Sequence, residues 1–319
     1  MSNYLPAILT YFDIIITMEE RYLRYNHLNE YLKNKFGERT LKICIDGGFT
    51  CPNRDGKFGT GGCIFCGEKG SGEHLNRLPI PEQIQSFLNS YKSERANKFI
   101  VYFQNFTNTY SSIENLKRIY DSSLIDSRIV GIQIATRPDC INTQIAKLIN
   151  SYSEKYYVCV ELGLQTSNNQ TAKTINRCYD SEIFTNAVSI LNKYNIDIVT
   201  HIMVGLPNEN INDVENTIKF INNHKIQGIK IHSCYIIRNT KLYSMYNEGK
   251  YTPITYESYM EALEYIITHI SPNIIIHRLT GDPPKNELVE PQWCLHKKRV
   301  LNGLDKILKE KNLYQGMYY

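Results

Sequence analysis

From Leu41 onward, short apolar runs alternate with stretches of helical spacing, and the apolar runs carry polar residues at every second position. The runs are Leu41–Asp46, Phe99–Gln104, Ile129–Ala135, Tyr157–Leu162, Ile196–Met203 and Gly228–His232. Tyr102 and Gln104 share one face of the second, Gln133 and Arg137 of the third, and Glu161 and Gln165 of the fourth. His201 falls on the fifth, and Lys230 and His232 share a face of the sixth. Strands alternating with helices at this pitch predict βαβ units and a parallel sheet. An open doubly wound sheet buries both strand faces and reads as uniformly apolar. A polar stripe in phase on five strands instead predicts a curved sheet around a wet lumen. Single members of such a stripe can be satisfied core groups; the shared phase is what argues.

The expected fold is therefore α/β, a partial (β/α)6 TIM-like barrel with N- and C-terminal extensions. The expected divisions are an N-terminal helix at 18–40, the barrel at 41–235, and a C-terminal extension at 236–319 that closes it. Residues 1–17 read as a poorly packed extension, or as the product of a start site assigned too far upstream, since Met18 opens a more ordinary protein start. In such barrels chemistry sits at the C-terminal ends of the strands.

The segment that follows the first strand is the richest in chemistry. Cys51, Cys63 and Cys66 are spaced C-x11-C-x2-C on a loop holding Gly56, Gly59, Gly61 and Gly62. Three thiolates are one short of a closed tetrahedral zinc site, which leaves a position open. Four readings fit the loop. Zinc could take Cys44 as a fourth ligand; Cys63 and Cys66 could form a redox dithiol; the spacing could be coincidence; or the three thiolates could hold a [4Fe–4S] cluster. The nine cysteines are odd in number and clustered, which argues against a disulfide framework. The other scattered cysteines read as apolar filler. A net charge of +4 over 319 residues permits an acidic partner without demanding one. The run Leu5–Thr17 is too short to span a bilayer and there is no basic leader, so the expected location is the cytoplasm, with no membrane partner.

Gly47-Gly-Phe-Thr-Cys-Pro-Asn-Arg-Asp-Gly and Gly61-Gly-Cys-Ile-Phe-Cys resemble the YtqA/YhcC-like group of radical S-adenosylmethionine (SAM) proteins, relatives of the Elongator catalytic subunit. The resemblance runs from about Tyr22 almost to the C-terminus. It includes Tyr102-Phe-Gln-Asn-Phe-Thr-Asn-Thr, Thr136-Arg-Pro-Asp-Cys, Val160-Glu-Leu-Gly-Leu-Gln-Thr, Ile175-Asn-Arg, His201-Ile-Met-Val-Gly-Leu-Pro, Gly228-Ile-Lys-Ile-His, His277-Arg-Leu-Thr-Gly-Asp and Tyr314-Gln-Gly. It implies a [4Fe–4S] cluster on Cys51, Cys63 and Cys66, with SAM chelating the fourth iron, and leaves Cys44 out of the ligand set. It also implies reductive cleavage of SAM to a 5′-deoxyadenosyl radical that takes hydrogen from a substrate. Phe65 holds the place of the aromatic residue that stacks on adenine. Gln104, Gln133, Glu161, Gln165, Arg177 and His201 are the further implied cofactor contacts. A flavodoxin or ferredoxin is the implied electron donor.

The later motifs look closest to the YtqA-like side, whose chemistry resembles maturation of the tRNA wobble uridine. The implied conversion takes 5-carboxymethylaminomethyluridine to 5-aminomethyluridine, with a downstream methyltransferase as a further partner. Lys230, His232 and Arg278 are then candidates to meet a substrate carboxylate. Arg77, Lys92, Arg95, His296-Lys-Lys-Arg299, Lys306, Lys309 and Lys311 are candidates for the anticodon backbone, or simply solvated charges. Two alternatives stay open here: a radical SAM enzyme acting on a small metabolite or peptide, and a non-enzymatic RNA-binding protein with structural zinc.

Overall fold

The protein is described from a computed structural model covering residues 24–70, 72, 75 and 77–319. The expected extension at 1–17 and the start of the 18–40 helix lie outside the described residues. In chain order, α1 (Leu28–Phe36) leads into β1 (Thr40–Ile45), then α2 (Ile80–Leu88), β2 (Lys98–Phe103), α3 (Ile113–Asp121) and β3 (Ile129–Thr136). There follow α4 (Thr143–Asn150), β4 (Tyr157–Gln165), α5 (Asn169–Thr174), α6 (Ser181–Asn192), β5 (Asp197–Val204), α7 (Ile211–Asn222) and β6 (Gly228–Ser233). The chain ends with β7 (Ile236–Ile237), α8 (Lys241–Asn247), α9 (Tyr256–His269), β8 (Ile275–Arg278), β9 (Leu288–Glu290) and α10 (Lys297–Glu310).

Seven parallel strands form one sheet in the order β1-β2-β3-β4-β5-β6-β8. Outward-facing Ile43, Val101, Ile132, Val160, Ile198 and Ile229 are fully buried against the helices, in one cluster with Leu116, Ile149, Phe184, Ile218 and Leu263. Each such side chain stabilises the fold by about 1.5–3 kcal/mol. Side-chain caps open the helices: Ser112 for α3, Asn142 for α4, Thr255 for α9, and a reciprocal Asn210–Asp213 box for α7.

The opposite parity faces inward, and it shows that the sheet is curled. In a flat sheet β1 and β4 would lie roughly 14 Å apart, at about 4.8 Å per strand. Yet Lys42 Nζ on β1 is 3.5 Å from Glu161 Oε1 on β4. Tyr102 Oη on β2 is 3.1 Å from Lys230 Nζ on β6, four strands away. This is the partial barrel the polar stripe predicts. β8 adds a seventh strand to the six expected.

The sheet does not close by hydrogen bonds: β1 and β8 are its two edges. Helix α1 packs against both. The chain just before α1 is tied to β8, where Asn26 O accepts from Ile276 N at 2.7 Å. Gln315 locks this strap from the C-terminal side. Its Oε1 accepts from Asn26 N (2.8 Å), and its Nε2 donates to Ser271 O (2.8 Å) and Ile274 O (2.7 Å). Helix α8 and the antiparallel β7–β9 ribbon were not expected from the sequence. Two- and three-residue strands are too short to carry a periodic signal.

Candidate active site

The cysteine loop crosses the C-terminal end of the barrel and is built by its own polar residues. Asn53 is fully buried; its Nδ2 donates to Asn176 O (2.6 Å), and Cys63 Sγ lies 3.7 Å from the same nitrogen. Asn176 Nδ2 returns a bond to Gly62 O (2.7 Å). Arg54 Nη2 donates to Cys66 O (3.1 Å) and Gly67 O (2.5 Å). Gly59 has no space for a side chain, since a Cβ there would lie 2.3 Å from Asn53 Oδ1. Gly61 and Gly62 hold the positive φ values (77° and 76°) that turn the chain into Cys63. The loop thus presents Cys51, Cys63 and Cys66 with Phe65 on one cavity wall. Burial, then the neighbouring Cys66, pushes the Cys63 thiol up to about 12, with Cys51 acting in the same direction.

Below the loop lies the polar lumen. Gln104, Glu161, Gln165, His201, Lys230, His232 and Arg278 line the same cavity as the cysteines. At its centre the buried Glu161 carboxylate accepts from Tyr102 Oη (2.5 Å) and Lys230 Nζ (2.5 Å), meets His201 Nε2 at 2.7 Å, and accepts from Gln133 Nε2. Burial opposes its charge, but Lys230, Lys42 and His201 overcome this and hold it well below the usual carboxylate range. Burial holds the His201 imidazole below its ordinary value despite Glu161. Glu161 has few lone pairs left for a ligand, so it acts as the strut of the lumen.

Gln165 reaches the cavity by a local distortion. The β4–β5 register shifts between Gly163 and Gln165, and Gln165 takes φ 59°. Its side chain folds back over Gly163, where a Cβ would lie 2.7 Å from Gln165 Nε2. Such a position for a non-glycine residue marks a functional site or a clamp.

Two of the expected cofactor contacts do not line the cavity. Arg177 is fully buried, and its guanidinium holds the carbonyls of Leu164, Thr166 (2.7 Å) and Tyr179 (2.9 Å). Its Nε and Nη1 anchor the end of β4, while the buried Nη2 has no hydrogen-bond partner among the described residues. Gln133 lies under Glu161, with its Nε2 3.5 Å from Cys159 Sγ. Arg54, Tyr102, Arg137 and Tyr179 also line the cavity and were not singled out as site residues. Arg137 pairs with Asp139 (2.6 Å) and donates to Arg177 O (3.0 Å).

The basic residues considered for RNA divide by place. Lys92 and Arg95 lie just before β2, at the N-terminal end of the strands and so opposite the cysteine loop. Their expected place at the mouth is overturned, because α2 carries the chain back down the barrel. Arg77 precedes α2 on the loop side and is 3.6 Å from Asp46. Arg299 lies beside the start of α9, where its carbonyl accepts from Tyr256 Oη (3.1 Å). Lys306, Lys309 and Lys311 follow toward the far end of α10, with Lys306 paired to Glu310 and Lys311 to Glu264.

Residues 54–221 match the Radical SAM superfamily model, and 226–310 match the Radical_SAM C-terminal domain. The chain belongs to the radical SAM superfamily. Its cofactors are a [4Fe–4S] cluster and SAM, and it is a radical SAM enzyme. It is 37% identical over 299 residues, 93% of each chain, to the uncharacterized protein YtqA of Bacillus subtilis (strain 168). It is 27% identical over 184 residues to the tRNA uridine(34) acetyltransferase of Methanocaldococcus jannaschii, covering 56% of this chain and 33% of that one. Among solved structures, Elp3 of Methanocaldococcus infernus shares the fold at a TM-score of 0.63 and 20% identity, over 86% of this chain and 64% of that one.

Family membership removes the non-enzymatic zinc alternative. Cys44 sits within β1 on the parity of Lys42, whose side chain reaches Glu161 across the lumen. Among the described residues, no three His, Cys, Asp or Glu side chains gather closely enough to hold one metal ion, and no helix is long and apolar enough to cross a membrane.

Proposed function

We propose that Cys51, Cys63 and Cys66 hold the cluster and that the lumen beneath is a substrate chamber for the wobble uridine of tRNA. The donor set fits a cluster. Its three thiols line one cavity, yet among the described residues they are not gathered around a single ion. Glycine-rich backbone lies beside them, with no Cβ to obstruct a sulfide. Bound there, the cluster and SAM would supply the one-electron chemistry needed to take a hydrogen atom from a substrate.

The chain's own residues bind and orient. Phe65 offers a flat apolar face beside the cysteines, and Gln104, Gln165 and His201 offer polar groups to SAM. Glu161, Gln133 and Tyr102 keep Lys230 and His201 in place, and the walls exclude water from a reactive species. The base would enter flipped from the anticodon stack, with Arg77 and Lys297–Arg299 on the loop side toward the phosphates.

The observation that carries the reading is a polar, cation-rich lumen under three cysteines. The wobble-uridine substrate is supported by the relative named for tRNA uridine(34). The proposed step oxidises the carboxymethyl carbon of 5-carboxymethylaminomethyluridine by two electrons, with SAM as the acceptor, and water then breaks the N–C bond to release 5-aminomethyluridine and a two-carbon oxo-acid. It would run in the cytoplasm, with a flavodoxin or ferredoxin supplying the initiating electron and a methyltransferase acting next. Mass analysis of tRNA nucleosides from a strain lacking the gene tests it. The carboxymethylaminomethyl form should accumulate; unchanged wobble uridines would end the tRNA reading.

A further inference from the structure

We propose that the lumen wall formed by β6 and β8 is a carboxylate-binding site in which Arg278 and His232 grip the anion, an inference that rests on the lumen being the substrate chamber. Charge balance makes the first argument. Lys42, Lys230 and Arg278 act on the same group of side chains, and the carboxylate facing them is Glu161. Glu161 is spent on Lys230, Lys42, His201, Tyr102 and Gln133. Among the described residues no carboxylate pairs with the Arg278 guanidinium, although it lines the cavity.

Strand register makes the second. Lys230 on β6 lies directly opposite Arg278 on β8. Like charges opposite one another destabilise a sheet, and this pair is neutralised on one side only. An anion beside Arg278 would give that side its counter-charge.

Local shape makes the third. The β6–β8 register shifts between Ile229 and Lys230, so His277 and Arg278 share the space opposite one residue step. A bulge of this kind breaks strict alternation and re-aims a side chain. His277 fills the hollow over Gly228, where a Cβ would lie 2.7 Å from His277 Nε2. Arg278 is thereby set at the height of the cavity wall. It lines the cavity together with His232, whose buried Nε2 has no hydrogen-bond partner.

The His201 and His232 rings lie 5.2 Å apart and 31° from parallel. Flat walls, a planar guanidinium fork and one imidazole N–H suit a planar two-oxygen anion. A phosphate shares the charge but not the planarity.

Calorimetry on the cluster-loaded full chain tests the proposal. The probes are 5-carboxymethylaminomethyluridine, its methyl ester, 5-aminomethyluridine, N-methylglycine and inorganic phosphate. The acid should bind roughly 10- to 100-fold more tightly than its ester, the usual range for a charge-assisted bond. Arg278→Met should erase that preference, Arg278→Lys should keep part of it, and His232→Leu should weaken it, with unfolding temperatures reporting whether each variant is intact. Equal binding of acid and ester, or a preference that survives Arg278→Met, overturns the site. Phosphate displacing the acid as well as N-methylglycine does overturns the carboxylate assignment. If no uridine binds but N-methylglycine binds wild type and not Arg278→Met, the site stands and the uridine reading falls.

Discussion

At the scale of single residues, the lumen turns on Glu161. Glu161→Gln would leave Lys42 and Lys230 buried without a counter-charge. Losing one partner of a buried ion pair costs about 3–5 kcal/mol, so urea unfolding at pH 7 should show a loss of that size. The pH dependence has a definite sign. The folded-state pKa of Glu161 is depressed. Its contribution is therefore present above the ordinary carboxylate value of about 4.3 and is lost as pH falls through the folded value. Wild type should lose stability steeply below about pH 4, and the Gln variant should lack that component. Glu161, His201 and Lys230 were legible in the sequence because period-two phase marks a shared face. The structural part played by Arg177 was not: an Asn-Arg pair in sequence carries no sign that Nε and Nη1 hold three backbone carbonyls, because only the path of the chain brings those carbonyls together.

At the scale of elements, alternation foretold the strands and the side each residue faces, but it failed where the ladder shifts. Strict period two would put His277 and Arg278 on opposite faces. The register shift opposite Ile229 and Lys230 is a tertiary event with no local sequence mark. Gly228 is its footprint on the neighbouring strand. Gly228→Ala would place a Cβ 2.7 Å from His277 Nε2 and 3.1 Å from Val199 Cγ2. Overpacking of that kind costs about 1–3 kcal/mol. Chemical denaturation should show this loss, and most of it should vanish when the same change is made in a His277→Ala background. A full-sized penalty in both backgrounds would mean that His277 is not what fills the hollow. Lys92 and Arg95 were misplaced for a related reason. Charge along a sequence carries no end of the barrel with it, and the direction of α2 supplies that.

At the scale of the whole molecule, the curled sheet has a seam. Six of the seven strands could be read from the sequence; whether the edges of such a barrel meet could not, because that depends on twist and shear summed over every strand. Here the seam is covered by α1 and secured by Gln315, a buried side chain with three backbone partners. Gln315→Ala leaves the buried Ile274 O unpaired and opens the part-buried Asn26 N and Ser271 O to water. The loss should be about 1–3 kcal/mol, the cost of one buried polar group left unpaired. Hydrogen exchange should quicken first at Asn26 and Ile276, at the strap, while amides of β3 and β4 stay protected. The same clasp sets an order of assembly. β1 is translated some 270 residues before Gln315, which at about 5–20 residues per second is a delay of roughly ten seconds to a minute. A nascent chain therefore holds its cysteine loop above an unlatched trough until Gln315 has been made.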